Sequence, residues 1–388
     1  MNILSFTTLY PNAAQPVLGV FVENRLRRLA ETGKVKLTVV APVPWFPFSS
    51  KAFGSYAVYS KVPAHEVRHG IEIFHPRYRV IPKVGMNLAP ALLYRGARAM
   101  VRKLAKERGA QLIDAHYFYP DGVAAAKLAR ELDLPLTITA RGTDLNLIPQ
   151  FETPRRLIER AARSADALIT VCDALRQPLL DMGIEAGKIT TLRNGVDLEL
   201  FRPLDRMAAR NRWGADGQTL VSVGGLIERK GHRLIVEALK SLPDTSLLIA
   251  GEGEERPALE RQIAALGLTG RARLLGQVPH ESLPSLYAAA DALVLASSRE
   301  GWANVLLEAM ACGTPVVATD VWGTGEVVAA PEAGVLVKDR TAAGILGGLR
   351  TLFANPPDRA ATRAYAEGFG WEPTTQGQLR LFERLIRK

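Results

Sequence analysis

The stretch from Glu300 to Asp320, E-G-W-A-N-V-L-L-E-A-M-A-C-G-T-P-V-V-A-T-D, constrains this chain most. The apolar run Ala292-Leu293-Val294-Leu295-Ala296 precedes it and reads as a buried strand. Glu300-Gly301-Trp302 then reads as a loop. A helix is predicted to start near Asn304, a residue type favoured at helix N-caps, and to run through Val305, Leu306, Leu307 and Met310. It stops at Gly313-Thr314-Pro315, and a second strand follows from Pro315 to Ala318. A helix that begins just past a strand aims free N–H groups and the positive end of its dipole beyond the strand's carboxyl end, which makes an anion site. Glu308 lies four residues beyond Asn304, roughly 6 Å along the axis, and Glu300 lies on the loop before it. A phosphate at the helix start with a carboxylate on each side, each able to accept sugar hydroxyls, matches a nucleotide sugar. The plainer alternative is a structural αβ unit with two solvated glutamates.

The E-x7-E spacing followed by A-C-G-T-P-V-V-A-T resembles the donor-site signature of the retaining glycosyltransferases of family 4, also described as glycosyl transferases group 1. The chain is similar to members that build bacterial cell-surface polysaccharides. The resemblance implies the α/β GT-B fold, two Rossmann-like domains whose parallel sheets face a central cleft. The expected division is an acceptor-side domain over residues 1–200, a nucleotide-sugar domain over 201–365, and a final helix over 366–388 crossing back to the first domain. The motifs cover the second half nearly throughout and the first half at separated points.

The first half opens with a strand at residues 2–8, a Pro/Gly-rich loop from Tyr10 to Gly19, a helix from Val20 to Thr32 and a strand at 36–42, the start of a doubly wound sheet. The loop P-V-L-G-V-F resembles the family's first loop, whose glycine, here Gly19, lets the backbone approach donor phosphates. Residues 43–63 read as an irregular excursion, an acceptor-binding flap. Residues 65–69 spell H-E-x-x-H, a zinc motif only on a helix. Pro63 before it and the alternating Ile71-Glu72-Ile73-Phe74 after Gly70 read instead as a hairpin turning at His69-Gly70.

His116 and Arg141 are placed at the carboxyl ends of the strands 112–117 and 134–140, where ligands bind in open α/β sheets. By resemblance, His116 sits near the donor sugar and acceptor and is a catalytic candidate. Arg141-Gly142-Thr143-Asp144 stands where the family usually has H-G-T-D. An arginine cannot serve as a base, but it suits an anionic acceptor or a phosphate. Arg141 and Asp144 are therefore acceptor-side candidates with His116.

In the second half, strand 219–223 runs into Gly224-Gly225-Leu226-Ile227-Glu228-Arg229-Lys230-Gly231, and two adjacent cations after a glycine turn suit a diphosphate. Many relatives carry a further arginine at the position of Gly225, so Arg229 and Lys230 take more of the load. Gly251-Glu252-Gly253-Glu254-Glu255-Arg256 lacks the third glycine of a dinucleotide fingerprint, and no ribose-binding acid follows, which argues against NAD. By resemblance the loop Gly276-Gln277-Val278-Pro279 borders the nucleobase. The donor set is then Gly19, Arg229, Lys230, Gln277, Val278, Glu300, Gly301, Asn304, Val305, Leu306 and Glu308, with Glu300 on sugar hydroxyls and Glu308 on the ribose. Arg229, Lys230 and Glu300 join His116 as catalytic candidates.

Sugar transferases that use a metal hold it with D-x-D, and that triplet does not occur here. Arg229, Lys230 and the helix start at Asn304 are expected to neutralise the departing diphosphate without metal or other cofactor. A UDP- or GDP-sugar is the expected co-substrate, and a glycan or lipid-linked hydroxyl the expected acceptor. The sequence leaves open a nucleotide-sugar epimerase, a phosphorylase or synthase of similar fold, and a non-catalytic protein whose basic half binds membrane or nucleic acid.

The net charge of +10 is uneven: residues 1–193 carry 27 Lys and Arg against 16 Asp and Glu, and the remainder 22 against 23. Arg95, Arg98, Arg102, Lys103 and Lys106 lie mostly off the apolar stripe of a helix predicted over 87–108. They either solvate that helix or rest on anionic lipid head groups. Nucleic acid is not expected as a partner. No apolar run reaches the ~20 residues of a membrane span. The first residues enter a strand without a leader pattern, and Cys172 and Cys312 suggest no disulfide framework. A cytoplasmic location at the inner membrane face is the resulting expectation.

Overall fold

In a computed structural model, residues 1–45, 56–81 and 85–387 are described. The chain forms two compact units, Met1–Asn194 with Glu372–Lys388, and Gly195–Trp371.

The first unit is built on an eight-stranded sheet in the order Ile189–Thr191, Ala167–Thr170, Leu136–Ala140, Leu112–His116, Asn2–Phe6, Lys36–Val40, Ile71–Phe74 and His65–Arg68. All neighbours are parallel except the last pair, a hairpin. The strand Asn2–Phe6 is central: Leu4 lies opposite Thr38 on one side and Ile113 on the other. Its apolar residues are buried because helices cover both faces, as parallel sheets require. Val22, Leu26 and Leu29 of helix Val20–Glu31 join Leu379, Phe382 and Leu385 of helix Glu372–Ile386 in one core cluster. The helix predicted over 87–108 is a short 3₁₀ turn, Met86–Leu88, followed by Ala89–Arg108, which buries Leu93, Ala97, Val101 and Leu104.

The H-E-x-x-H residues lie on the antiparallel hairpin, and its turn places His69 at φ 50° and Gly70 at φ 76°. Within the excursion expected over 43–63, Val43–Pro44 pairs with Arg77–Tyr78 and Tyr56–Tyr59 is one helical turn. The rest of that expectation, at 46–55, falls outside the described residues.

The second unit carries six parallel strands in the order Ala272–Gly276, Thr245–Ala250, Gln218–Val223, Ala292–Leu295, Val316–Thr319 and Gly334–Val337. Numbered within the unit this is 3-2-1-4-5-6, the doubly wound dinucleotide-fold order. Val221 lies opposite Leu248 on one side and Leu293 on the other. Leu220, Ile249, Val294 and Val317 share a core with Ile345 and Leu349 of helix Ala342–Ala354. Among the described residues no helix is long and apolar enough to cross a membrane.

Candidate functional site

Strand order decides where a ligand can enter each unit. In the second unit the winding reverses between Gln218–Val223 and Ala292–Leu295, so the loops leaving these two strands diverge and open a crevice. The first loop ends in a 3₁₀ turn, Glu228–Lys230, and the left-handed Gly231 starts helix His232–Leu239. A Cβ on Gly231 would sit 2.1 Å from the Ala296 carbonyl oxygen, so only glycine lets the two loops approach this closely.

That approach brings together residues 70 apart in the chain. Lys230 Nζ donates to Glu300 Oε1 at 2.6 Å, Ser297 Oγ donates to the same oxygen at 2.6 Å, and Arg229 Nη1 lies 3.3 Å from it. Arg229 Nη1 also donates to the Arg299 carbonyl at 2.8 Å. Burial raises the Glu300 carboxyl, but the Lys230 and Arg229 charges and the Lys230 and Ser297 hydrogen bonds outweigh it and hold the group below the usual range. Glu300 is buried, whereas the Lys230 and Arg229 side chains keep 15% and 25% exposure. Two partly exposed cations against one carboxylate leave an excess positive charge at the crevice.

Sequence reasoning did not single out His232. It is buried, with Ser222 Oγ 3.1 Å from Nδ1 and the Gly225 carbonyl 3.3 Å from Nε2. The ring can therefore accept from Ser222 and donate to Gly225, holding the glycine turn beneath Lys230. Burial depresses its pKa to about 4, against the Gly225 hydrogen bond and helped by the Lys230 charge.

The helix expected from Asn304 spans Asn304–Ala311, but its cap position is Ala303, which makes no side-chain cap bond. Asn304 is thus the first helical residue and not the cap. The backbone turns at Ala303, whose ψ of 84° is non-helical. Gly301 is buried, Val305 half-buried and Leu306 fully buried, so Leu306 can offer a ligand only its backbone. Glu308 accepts from Tyr287 Oη at 2.9 Å, and His280 Nε2 lies 3.9 Å from its other oxygen. The Glu308 carboxylate beside it raises the His280 pKa against burial. Gln277 and Val278 follow the edge strand Ala272–Gly276, with Gln277 exposed and Val278 half-buried.

In the first unit the winding reverses between Asn2–Phe6 and Leu112–His116. Gly19 is left-handed at φ 67°, and a Cβ there would meet the Leu9 carbonyl oxygen at 2.3 Å. Its own loop packing demands glycine. His116 ends its strand and is fully buried: Arg141 Nη2 donates to Nδ1 at 2.6 Å, and Nε2 lies 3.0 Å from Asp114 Oδ2. Burial lowers the His116 pKa, Asp114 opposes this, and Arg141 and Arg25 reinforce it. An acceptor at Nδ1 and a carboxylate beside Nε2 describe a neutral ring with its proton on Nε2.

Arg141 also donates from Nη1 to Asn194 Oδ1 at 3.1 Å and lies over the Phe21 ring. Burial and the nearby Arg25 charge lower its pKa, with Asp114 and Asp144 opposing. Asp144 accepts the N–H groups of Phe118, Arg141 and Gly142 at 2.8, 3.0 and 2.8 Å, so it clamps the two strand exits together. Arg25 was not anticipated. It is buried, donates to Gln378 Oε1 at 2.7 Å and to the Leu192 carbonyl at 3.0 Å, and burial lowers its pKa to about 10 against the Asp114 charge. The structure thus brings His116, Arg141 and Asp144 together, but within a sealed network.

Beside that network, a cavity of about 210 Å³ opens at the carboxyl ends of Asn2–Phe6 and Lys36–Val40, lined by Thr8, Tyr10, Asn12, Tyr59, His75 and Tyr78 among others. The Tyr10 hydroxyl is buried there without a partner among the described residues. Of the basic helix residues, Arg98 and Arg102 share Glu131 at 2.8 and 3.4 Å, and Lys103 lies 3.9 Å from Glu107. Among the described residues there is no group of three or more His, Cys, Asp or Glu placed to hold a metal ion.

Comparison with known proteins gives one pattern. The family profile described as Glycosyl transferases group 1 matches residues 205–369, and that described as Glycosyltransferase Family 4 matches 18–200. A Bacillus subtilis protein named for teichuronic acid biosynthesis, the glycosyltransferase TuaC, is 30% identical over 84% of this chain and 83% of its own length. A D-inositol 3-phosphate glycosyltransferase of Frankia alni is 31% identical over 85% and 88%. Among solved structures, sucrose-phosphate synthase of Thermosynechococcus elongatus superposes with a TM-score of 0.84 at 22% identity, over 100% of this chain and 99% of its own. HepE of Anabaena in complex with UDP-glucose superposes with a TM-score of 0.76 at 21% identity, over 99% of each chain. These likenesses show the GT-B fold, with two Rossmann-like domains.

Proposed function

Because the chain belongs to the family 4 glycosyltransferases, we propose that it moves a sugar from a nucleotide-sugar donor to a hydroxyl of a glycan or lipid-linked acceptor, with retention at C1 and without a metal, in cell-surface polysaccharide synthesis. The observation that carries this reading is the convergence of Lys230 and Arg229 on Glu300 at the switch point of the second unit. In the resting site Glu300 is the anion these cations hold. An arriving diphosphate competes for them, and Glu300 turns to the hydroxyls of the sugar beyond it.

The diphosphate lies against Lys230, Arg229 and the helix start at Asn304, with backbone contributions from Gly301, Val305 and Leu306. Glu308, held by Tyr287 and His280, takes the ribose, and Gln277 and Val278 border the base. The bond from C1 to the β-phosphate oxygen breaks, the acceptor oxygen bonds C1 on the same face, and the acceptor proton passes to the leaving phosphate. The protein supplies the positive field in which that charge develops. On the acceptor side, neutral His116 and Arg141 act by holding one another and the strand exits in place, and the cavity at Tyr10 and Asn12 receives the acceptor.

The donor is a UDP- or GDP-sugar. A thermal-stability screen of nucleoside diphosphates and their sugar conjugates, run with EDTA throughout, tests this reading: a ligand at 100-fold its Kd adds about 2.7 kcal/mol. Product analysis with and without acceptor separates a transferase from an epimerase. Loss of donor stabilisation under EDTA overturns the metal-free mechanism.

The first unit, with its basic excess and the face of Ala89–Arg108, also docks at the cytoplasmic surface of the membrane. Each basic residue near an anionic leaflet contributes about 1 kcal/mol. Co-sedimentation with anionic but not neutral liposomes, lost when Arg95 and Lys106 become glutamine, is the expected result.

A further inference from the structure

The loop at residues 251–256, which departs from a dinucleotide fingerprint, has no part in the site described so far. It leaves the strand Thr245–Ala250, between the exits of Gln218–Val223 and Ala272–Gly276. Backbone bonds join the three exits. The Gly224 N–H donates to the Ala250 carbonyl at 3.0 Å, Leu226 to Glu252 at 2.9 Å and Gly251 to Gly276 at 2.8 Å. A Cβ on Gly224 would touch the Lys230 side chain at 3.3 Å, and one on Gly225 would meet nothing nearer than the Glu252 carbonyl oxygen at 3.8 Å. One on Gly276 would lie 3.0 Å from Glu252 Oε1. A ledge of glycine backbone thus runs from Lys230, in the candidate donor site, to the Glu252 carboxylate. Gln277 and Val278, proposed to border the base, follow Gly276 directly.

Glu252 is exposed, and Arg256 Nη1 donates to its Oε1 at 3.1 Å. Among the described residues nothing donates to Oε2. An exposed ion pair of this kind contributes about 1 kcal/mol or less to stability, so its carboxylate is free to change partners. Bare backbone beneath and an acceptor-only group at the edge suit a planar ring read through its N–H groups.

We infer that Glu252 reads the base of the donor nucleotide and that this base is guanine, so the co-substrate is a GDP-sugar. Guanine presents N1–H and N2–H side by side, two donors for the two oxygens of one carboxylate. Uracil offers one N–H between two carbonyl oxygens, so the second carboxylate oxygen would face an acceptor. Adenine sets a donor beside an acceptor and meets the same mismatch. Specificity then comes from rejecting the wrong base as well as from holding the right one. This inference rests on the nucleotide-sugar reading of the site.

Calorimetric titration of the full chain and of Glu252→Gln with GDP, UDP and ADP tests it. GDP should bind the unaltered chain about tenfold more tightly than UDP or ADP, the discrimination of one bidentate pair. In Glu252→Gln an amide donor replaces one acceptor, so GDP should weaken about tenfold while UDP stays within twofold. The variant should melt with the unaltered chain, because the substituted carboxylate is exposed. UDP or ADP binding the unaltered chain as tightly as GDP, or equal losses for GDP and UDP in the variant, overturns the guanine assignment and leaves the donor-site reading standing. If the unaltered chain binds no nucleoside diphosphate, the donor-site reading itself fails, and the guanine assignment with it.

Discussion

Both units place arginine and a carboxylate at the point where their sheet reverses direction, yet the two arrangements differ. At Lys230, Arg229 and Glu300 the cations are partly exposed, and one carboxylate oxygen holds both. At Arg25, Arg141, His116 and Asp114 every side chain is buried, and the arginines spend their donors on Asn194, Gln378, Leu192 and His116. An exposed pair can exchange its carboxylate for a ligand's phosphate. A buried one cannot let go without leaving charges unsolvated. The same residue types therefore make a binding site in one unit and a structural joint in the other.

The largest expected effect tests the joint. Arg25→Ala leaves the Gln378 and Leu192 acceptors unpaired and removes a compensating charge, so the first unit should lose about 3–5 kcal/mol of stability. Diphosphate binding by the molecules still folded should not change. A loss of binding as large as that of stability would show that Arg25 serves a ligand site and would erase the contrast between the two edges.

Lys230→Ala or Arg229→Ala should instead spare stability and lower turnover by about 10²–10³-fold, the effect of removing one preorganised donor. Steady-state kinetics beside a melting curve reads both quantities. Unaltered turnover would move the chemistry away from this edge.

Stability against pH tests the support beneath the cations. The folded pKa of His232 is about 4, below the ordinary histidine value of 6.5, so the unfolded chain takes up the proton first. Stability from this group is full above about pH 6.5 and falls as the pH drops toward 4. The loss should reach about 3 kcal/mol, and His232→Gln should flatten that slope. A variant with the same slope as the unaltered chain would assign it to other groups.

The smallest effect sharpens the roles of the two glutamates. Glu308→Gln should weaken the bare nucleoside diphosphate about tenfold, or about 1.4 kcal/mol. Glu300→Gln removes the anion that competes with phosphate, so the bare diphosphate should bind as well or better while the sugar conjugate binds more weakly. Equal losses for both ligands in both variants would mean that the assignment is wrong.

What was legible in the sequence was local. Strand, loop, helix and strand around Glu300 follow from apolar runs and punctuation within about thirty residues, and Arg229-Lys230 follows a strand end in the same way. The doubly wound sheets follow from alternating buried runs. The helix starts at Asn304 as its residue type suggests, but Asn304 is not the cap, because the turn belongs to the backbone at Ala303 and not to a capping side chain. His232 and Ser222 read as ordinary core-edge residues until the glycine turn folds over them. Arg25 carries no sequence signal at all. It sits among Arg27 and Arg28 on an amphipathic helix, and its partner Gln378 is 353 residues away.

That separation bears on how the molecule is made. The first unit encloses the second in chain order, leaving at Asn194 and resuming at Glu372. Gln378 bonds both Arg25 and Asp114, so these two charged groups wait for a residue synthesised long after them. At 5–20 residues per second, ribosomal synthesis from Arg25 to Gln378 takes roughly 20–70 s, ample time for the intervening unit to fold. Newborn chains should therefore pass through a stage in which the later-made unit is complete and the earlier-made one still lacks its closing helix. Chaperone binding and protease sensitivity during translation should concentrate on the first two hundred residues.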